Sequence, residues 1–117
     1  MRDAPPSHMQ DHLQITFRGM SPSPAIELLV RERAERLERM ASRIQRCHVV
    51  VDQPHRHQHK GNPFCVRLDI TTADDEVVVT REPDGACNHE PMQNAIRSAF
   101  DAAARQLETR ARRRRAI

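Results

Sequence analysis

The chain has 117 residues, which is enough for one domain with a modest core. It has no Trp, no Tyr and only three Phe, so few side chains could stack on bases, and contacts with a nucleic acid would go mainly to phosphate and sugar. The formal net charge of +3 is unevenly spread: the segment from Arg105 onward holds six arginines against Glu108, whereas the preceding 104 residues hold 13 basic and 15 acidic side chains.

The cysteines and the hydropathy pattern exclude several classes of protein. Cys47, Cys65 and Cys87 are odd in number and show no CxxC spacing, which argues against a disulfide framework and against a zinc ribbon. The N-terminal segment has no apolar signal core, and no apolar run approaches membrane-spanning length. We therefore expect a cytoplasmic protein with reduced thiols and no membrane partner.

The first predicted elements are a lead and a strand. Residues 1–11 are polar and rich in proline, and they predict a disordered lead. His12–Arg18 then alternates strictly, with Leu13, Ile15 and Phe17 on one face. This alternation predicts a half-buried strand.

The segment Ser23–Arg46 predicts a long helix. Ser23 can cap its first backbone N–H groups, and Pro24 suits the first helical position. Apolar residues recur at three- and four-residue steps and predict a buried face: Ile26, Leu29, Val30, Leu37, Met40, Ala41 and Ile44. On a wheel of about 100° per residue, four arginines follow one flank of this face: Arg33, Arg36, Arg39 and Arg43.

Three further strands are predicted at Cys47–Gln53, Phe64–Thr72 and Glu76–Glu82. A strand, a helix of this length and another strand form a right-handed βαβ unit, so the first two strands should be parallel. A hydrophilic loop, Pro54–Pro63, precedes the third strand, and a tight connection at 73–75 makes the last two strands antiparallel.

The second predicted helix begins at about Glu90. Its buried stripe is apolar and mostly small: Met92, Ala95, Ile96, Ala99, Phe100, Ala103 and Leu107. The element order is thus β-α-β-β-β-α, which predicts an α+β fold with a four-stranded mixed sheet and two helices packed on one face. We predict a single domain over residues 12–111, followed by a basic tail at 112–117.

Arginines are the strongest candidates for a binding site. Arginine is permanently charged, and its planar fork binds phosphate in a bidentate manner. The predicted RNA-binding residues are Arg33, Arg36, Arg39, Arg43, Arg105, Arg110, Arg112 and Arg113. In a purely structural interpretation, the arginines of the first helix pair with neighbouring glutamates at helical spacing, and the terminal ones form a solubility tail.

A His-rich loop is the second candidate. His55, His57 and His59 alternate, so in an extended segment they would lie on one side, and imidazole suits zinc or copper. Histidines in a loop are more often solvated, and we predict no metal and no cofactor.

Enzyme constellations are scarce. Cys87 and His89 lie close in sequence at the start of the second helix, but no orienting group accompanies them. Asp74, Asp75 and Glu76 fall at an exposed turn and are typical of solvated charges. We therefore predict that the protein is not an enzyme.

Several local sequences, in this order and spacing, resemble the ribosome hibernation family, which includes hibernation-promoting factor, ribosome-associated inhibitor and sigma-54 modulation protein. The resemblance covers about residues 13–110. It rests on SPAI at 23–26, RAERLER at 33–39, HVVVDQP at 48–54, NHEPMQNAI at 88–96 and RQLE at 105–108. Two positions depart from the family: Gln93 stands where a tyrosine is usual, and Asn88 where lysine is common.

The resemblance implies a fold similar in shape to double-stranded RNA-binding domains. It also implies binding to the small ribosomal subunit and its rRNA in the mRNA–tRNA channel, where family members inhibit translation and protect idle ribosomes. By position, Arg33, Arg36, Arg39 and Arg105 match basic residues of the family.

Three hypotheses follow. The leading one is a ribosome-associated translation inhibitor that is monomeric when free and does not bind DNA. The second keeps the fold but makes the protein a general double-stranded RNA-binding domain. The third, from a different class, is a metal-binding module built on the His-rich loop.

Overall fold

The computed structural model describes residues 12–40, 44–53, 64–81 and 92–115. Six elements follow one another in the predicted order β-α-β-β-β-α. They are β1 (Leu13–Arg18), α1 (Pro24–Met40), β2 (Ile44–Asp52), β3 (Cys65–Thr72), β4 (Glu76–Arg81) and α2 (Met92–Arg115).

The four strands form one mixed sheet in the order β1-β2-β3-β4. As predicted, β1 and β2 are parallel, while β3 is antiparallel to both β2 and β4. One row of paired apolar residues runs across all four strands: Ile15 lies opposite Val49, Val49 opposite Leu68, and Leu68 opposite Val79. The register therefore puts the apolar positions of all four strands on the same face.

The core lies between this face and the two helices. Helix α1 packs over β1 and β2, α2 packs over β3 and β4, and the helices contact each other. The predicted stripe of α2 is buried from Ala95 to Leu107, with Met92 partly buried at its start. Among the described residues, no polar or charged residue is buried, so burial of apolar surface is the main force that holds this layer together.

The opposite face of the sheet is mostly polar, although Val78 is exposed on it. Thr16 Oγ1 and His48 Nε2 are hydrogen-bonded at 2.9 Å across β1 and β2, and Arg67 forms a 3.9 Å ion pair with Asp69 on β3. This arrangement matches the prediction of two helices on one side of the sheet only.

The beginning of α1 confirms the predicted cap, but its end does not match the prediction. The Ile26 N–H donates to Ser23 Oγ at 3.3 Å, which satisfies one of the free donors of the first turn. The described helix ends at Met40 instead of continuing to Arg46, and β2 already begins at Ile44.

A β-bulge explains this error. The register shifts between Ile44 and Arg46, so Ile44 and Cys47 are both buried although three residues apart. A bulge breaks the two-residue period of a strand. The resulting three-residue step imitates the helical period on which the prediction relied.

Helix α2 extends past the position at which the basic tail was predicted to begin, while the domain boundary itself stays a prediction. The helix continues through Arg115, so residues 112–115, predicted as part of a basic tail, form its last turn. Among the described helices, none is long and apolar enough to span a membrane.

Candidate nucleic-acid interface

Helix α1 presents its arginines beside α2. Ile26, Val30, Ala34 and Leu37 are buried against the sheet, and this orientation fixes the flank that carries the arginines. An open concavity of about 450 Å³ lies along that flank. It is lined by Leu29, Glu32, Arg33, Glu35, Arg36, Arg39 and, from α2, Arg97.

A second concavity of about 200 Å³ continues between the helices. Arg33 and Arg36 line it as well, together with an apolar floor of Leu37, Phe100 and Ala104. We call this region, defined by Arg33, Arg36, Arg39 and Arg97, the interhelical groove. Its arginine stems can rest on apolar surface while their guanidinium groups remain in water.

The charge of the groove is mixed, with four arginines against three acidic side chains. Four arginines face Glu32 and Glu35, and Asp101 lies at the second concavity. The ion pairs of the described residues include those of Arg67, Arg110 and Arg114, and Glu35 and Glu38 of α1 also have interaction partners. The purely structural interpretation, in which the arginines of α1 pair with neighbouring glutamates, therefore remains an alternative to RNA binding.

Arg97 is a groove residue that the sequence analysis missed. It is exposed on α2, where its Nη1 donates to Asn94 Oδ1 at 3.3 Å. The sequence carried a signal, because Arg97 directly follows the buried Ile96 and so flanks the apolar stripe. Only the packing of α2 beside α1 shows which flank faces the other helix.

The structure places Arg105 outside the groove. Arg105 lines a separate concavity of about 280 Å³ with Gln106, Thr109, Arg110 and Arg113, and no residue of α1 contributes to it. The predicted site residues thus fall into two sets. Arg33, Arg36 and Arg39 lie together along α1, whereas Arg105, Arg110 and Arg113 lie together on α2.

The end of α2 is engaged with the turn between β3 and β4. Arg110 Nη1 lies 3.7 Å from Asp75 Oδ1 and donates to the Glu76 carbonyl oxygen at 3.3 Å. Arg114 pairs with Asp74 at 3.9 Å and also forms a hydrogen bond with Asp75, which raises the pKa of Arg114 above its ordinary value. Asp74 and Glu76 are exposed, as predicted for this turn. The side chain of Asp75 is only 15% exposed and pairs with two arginines of α2.

Several predicted features lie outside the described residues. They include the lead at residues 1–11, Arg43 and the His-rich loop with His55, His57 and His59. In the ranges that are described, no group of three or more His, Cys, Asp or Glu side chains could hold a metal ion. Cys87 and His89 are also outside these ranges.

The described cysteines do not form a nucleophilic site. Cys47 is fully buried in β2, and burial raises the pKa of its thiol to about 12, with a further contribution from the negative charge of Asp69. A thiol with so high a pKa is almost entirely protonated at neutral pH and is a poor nucleophile. Cys65 is partly exposed on β3.

The fold and the groove define a small α+β domain that presents arginines between two helices. Residues 13–115 match the model of the family described as sigma 54 modulation protein / S30EA ribosomal protein. Because the match spans most of the chain, the protein belongs to this family. The resemblance noted in the sequence is therefore confirmed.

Solved structures show the same fold. A ribosomal subunit interface protein from Coxiella burnetii is 17% identical, with a TM-score of 0.63 over 86% of this chain and 97% of that one. The N-terminal domain of Protein Y from Thermus thermophilus is 18% identical, with a TM-score of 0.61 over 82% of this chain and 93% of that domain. No curated protein sequence matches the chain.

Family membership fixes the general class of activity. The family consists of non-enzymatic, ribosome-associated hibernation and interface factors. The prediction that the protein is not an enzyme is thus confirmed.

Proposed function

We propose that the protein inhibits translation on idle ribosomes by binding small-subunit rRNA in the mRNA–tRNA channel. The observation that carries this proposal is the interhelical groove, in which Arg33, Arg36 and Arg39 of α1 face Arg97 of α2. The family match supports the ribosome as the target. The site of action is then the cytoplasm, where ribosomes are found.

The groove suits an RNA backbone better than bases. Arginine forks can donate two hydrogen bonds to one phosphate, and four of them spaced along two helices can follow successive phosphates. The chain has no Trp or Tyr on which bases could stack. Recognition therefore depends on the position of phosphates in folded rRNA, and a protein bound in the channel excludes mRNA and tRNA by occupying their path.

The other predicted RNA-binding residues contribute from a second surface. Arg105 and Arg113 line the concavity on α2, and Arg112 is exposed on the last turns of the same helix. Arg43 completes the set by its position in the sequence. In this proposal the groove binds first, and the end of α2 adds phosphate contacts where the rRNA reaches it.

Sedimentation with purified small subunits tests the proposal. We expect co-sedimentation at low salt and a steep loss of affinity as salt rises, with a log–log slope of about −0.7 to −0.9 for each phosphate neutralised. The double substitution Arg36→Gln with Arg39→Gln should make this slope shallower by about two such increments.

Arg31→Gln is the matched control, because Arg31 is exposed on the same helix but does not line the groove. It should co-sediment like the unmodified protein. Absence of co-sedimentation at low salt would refute the proposal. Equal competition by a short RNA duplex would instead favour a general double-stranded RNA-binding protein.

A further inference from the structure

The acidic turn between β3 and β4 has a defined conformation. Thr72 Oγ1 accepts hydrogen bonds from the N–H groups of Asp74 and Asp75, at 3.1 and 2.9 Å. The Thr72 N–H in turn donates to the Asp75 carbonyl oxygen at 2.8 Å. These bonds involve the backbone of the aspartates, so both carboxylates remain available to the arginines of α2.

The two carboxylates hold Arg110 and Arg114 over the turn. Asp75 accepts a hydrogen bond from Arg114 and lies 3.7 Å from Arg110. Its side chain is only 15% exposed, whereas that of Asp74 is 48% exposed. An open concavity of about 360 Å³ lies at this turn, and Arg113 lines it together with these two arginines and both aspartates. Because carboxylate and phosphate oxygens bind the same guanidinium fork, a phosphate that approaches Arg110 or Arg114 competes with the carboxylates of the turn.

We propose that the Asp74–Asp75 turn is an intramolecular competitor of RNA, which occupies Arg110 and Arg114 and keeps them from binding phosphate until a closely placed phosphate displaces it. The competing ligand is an RNA backbone, as in the proposed function, on which this inference rests. The consequence is selectivity. RNA that binds loosely at the end of α2 finds Arg110 and Arg114 already paired with the aspartates. Only an RNA backbone whose phosphates lie close to these two arginines can form hydrogen bonds with them.

Binding of a short fluorescein-labelled RNA duplex, followed by anisotropy over a salt series, tests this competition. The double variant Asp74→Asn/Asp75→Asn removes the carboxylate charges and leaves the backbone bonds of the turn in place. We expect the variant to bind the duplex about two- to tenfold more tightly, the range given by exposed ion pairs. Its salt slope should steepen by about 1.4 to 1.8, as for two additional phosphates.

A charge-matched control separates competition from a general rise in positive charge. Glu76→Gln/Glu108→Gln changes the net charge by the same amount, and both side chains are exposed on β4 and α2. We expect this variant to gain clearly less than the aspartate variant. An equal gain in the two variants would overturn the proposal.

Removal of the arginines completes a double-mutant cycle. In the unmodified protein, Arg110→Gln/Arg114→Gln should change duplex affinity less than twofold, because the turn already occupies both side chains. In the Asp74→Asn/Asp75→Asn background, the same change should abolish the gain. A large loss in the unmodified protein would contradict the competition.

The duplex experiment is independent of the ribosome experiment. Failure of the protein to sediment with small subunits would refute the proposed function. It would not affect the double-mutant cycle measured with the RNA duplex. An additive cycle with normal ribosome binding would refute the competition alone.

Discussion

Gly19 lies directly against the backbone of Gln53, where the chain passes from β1 towards α1. Gly19 has a φ of 72°, and a Cβ at this position would overlap the carbonyl oxygen of Gln53 and lie 3.0 Å from its carbonyl carbon. The Gln53 N–H donates to the Arg18 carbonyl oxygen at 2.8 Å. The end of β2 therefore packs against the turn that leads into the arginine-bearing helix, and only glycine fits there without strain.

Gly19→Ala should lower the free energy of unfolding by about 1–3 kcal/mol, because a left-handed φ and a backbone overlap both act against a side chain. Urea denaturation followed by circular dichroism measures this change. Ser21→Ala, an exposed substitution two residues further on, should stay within about 0.5 kcal/mol of the unmodified protein. Similar midpoints for the two variants would contradict the packing described here.

Val77 and Val78 test the orientation of the sheet. Val77 is 1% exposed on the helix-covered face of β4, and its neighbour Val78 is 43% exposed on the other face. Val77→Ala should cost about 1.5–3 kcal/mol through lost burial and an added cavity. Val78→Ala should cost less than about 1 kcal/mol by the same measurement. The reverse order would mean that the sheet faces the helices with its other side.

The thiol of Cys47 makes stability depend on pH above the physiological range. Burial raises its pKa from 9.0 to about 12, so between these values the folded state keeps a proton that the unfolded state releases. The free energy of unfolding should therefore fall as pH rises from about 9 to 12, by at most about 1.4 kcal/mol per pH unit. The contribution is fully present below about pH 9.

Urea titrations between about pH 8 and 11 measure this slope. The chain suits the experiment because few other side chains titrate in this pH range: it has no tyrosine and a single lysine, Lys60. Cys47→Ala should flatten the slope, whatever its effect on stability at neutral pH. Ser21→Ala, which is exposed and leaves every thiol in place, is the control and should leave the slope unchanged. Identical slopes in both variants would show that Cys47 does not titrate differently on folding.

Arg97→Gln should weaken binding to small ribosomal subunits several-fold and make the salt slope shallower by about 0.7–0.9, the value for one lost phosphate contact. Arg67→Gln is its control, because Arg67 is exposed on the opposite face of the sheet. Co-sedimentation over a salt series compares the two variants. Equal slopes would remove Arg97 from the proposed site.

The sequence was sufficient for those parts of the fold in which local chemistry and tertiary structure agree. The Ser23 cap begins a helix with a buried face. The strict alternation of β1 corresponds to a partly buried face, and the apolar stripe of α2 to a buried one. At Ile44 the local pattern and the tertiary structure disagreed, because a bulge in β2 produced a helix-like spacing of apolar residues in a strand. A bulge is stabilised by its partner strand, here β3, which periodicity along one segment does not reveal.

The candidate site divides in the same way. The sequence by itself determined that arginines follow one flank of α1, because the spacing of Arg33, Arg36 and Arg39 relative to the apolar stripe fixes their direction on any helix. Only the tertiary structure decided that Arg97 faces them and that Arg105 does not, because this depends on how α2 packs beside α1. Only the tertiary structure, too, pairs Arg114 with Asp75, which is 39 residues earlier in the chain. Charges attract through space, so their partners are set by the fold and not by their separation along the sequence.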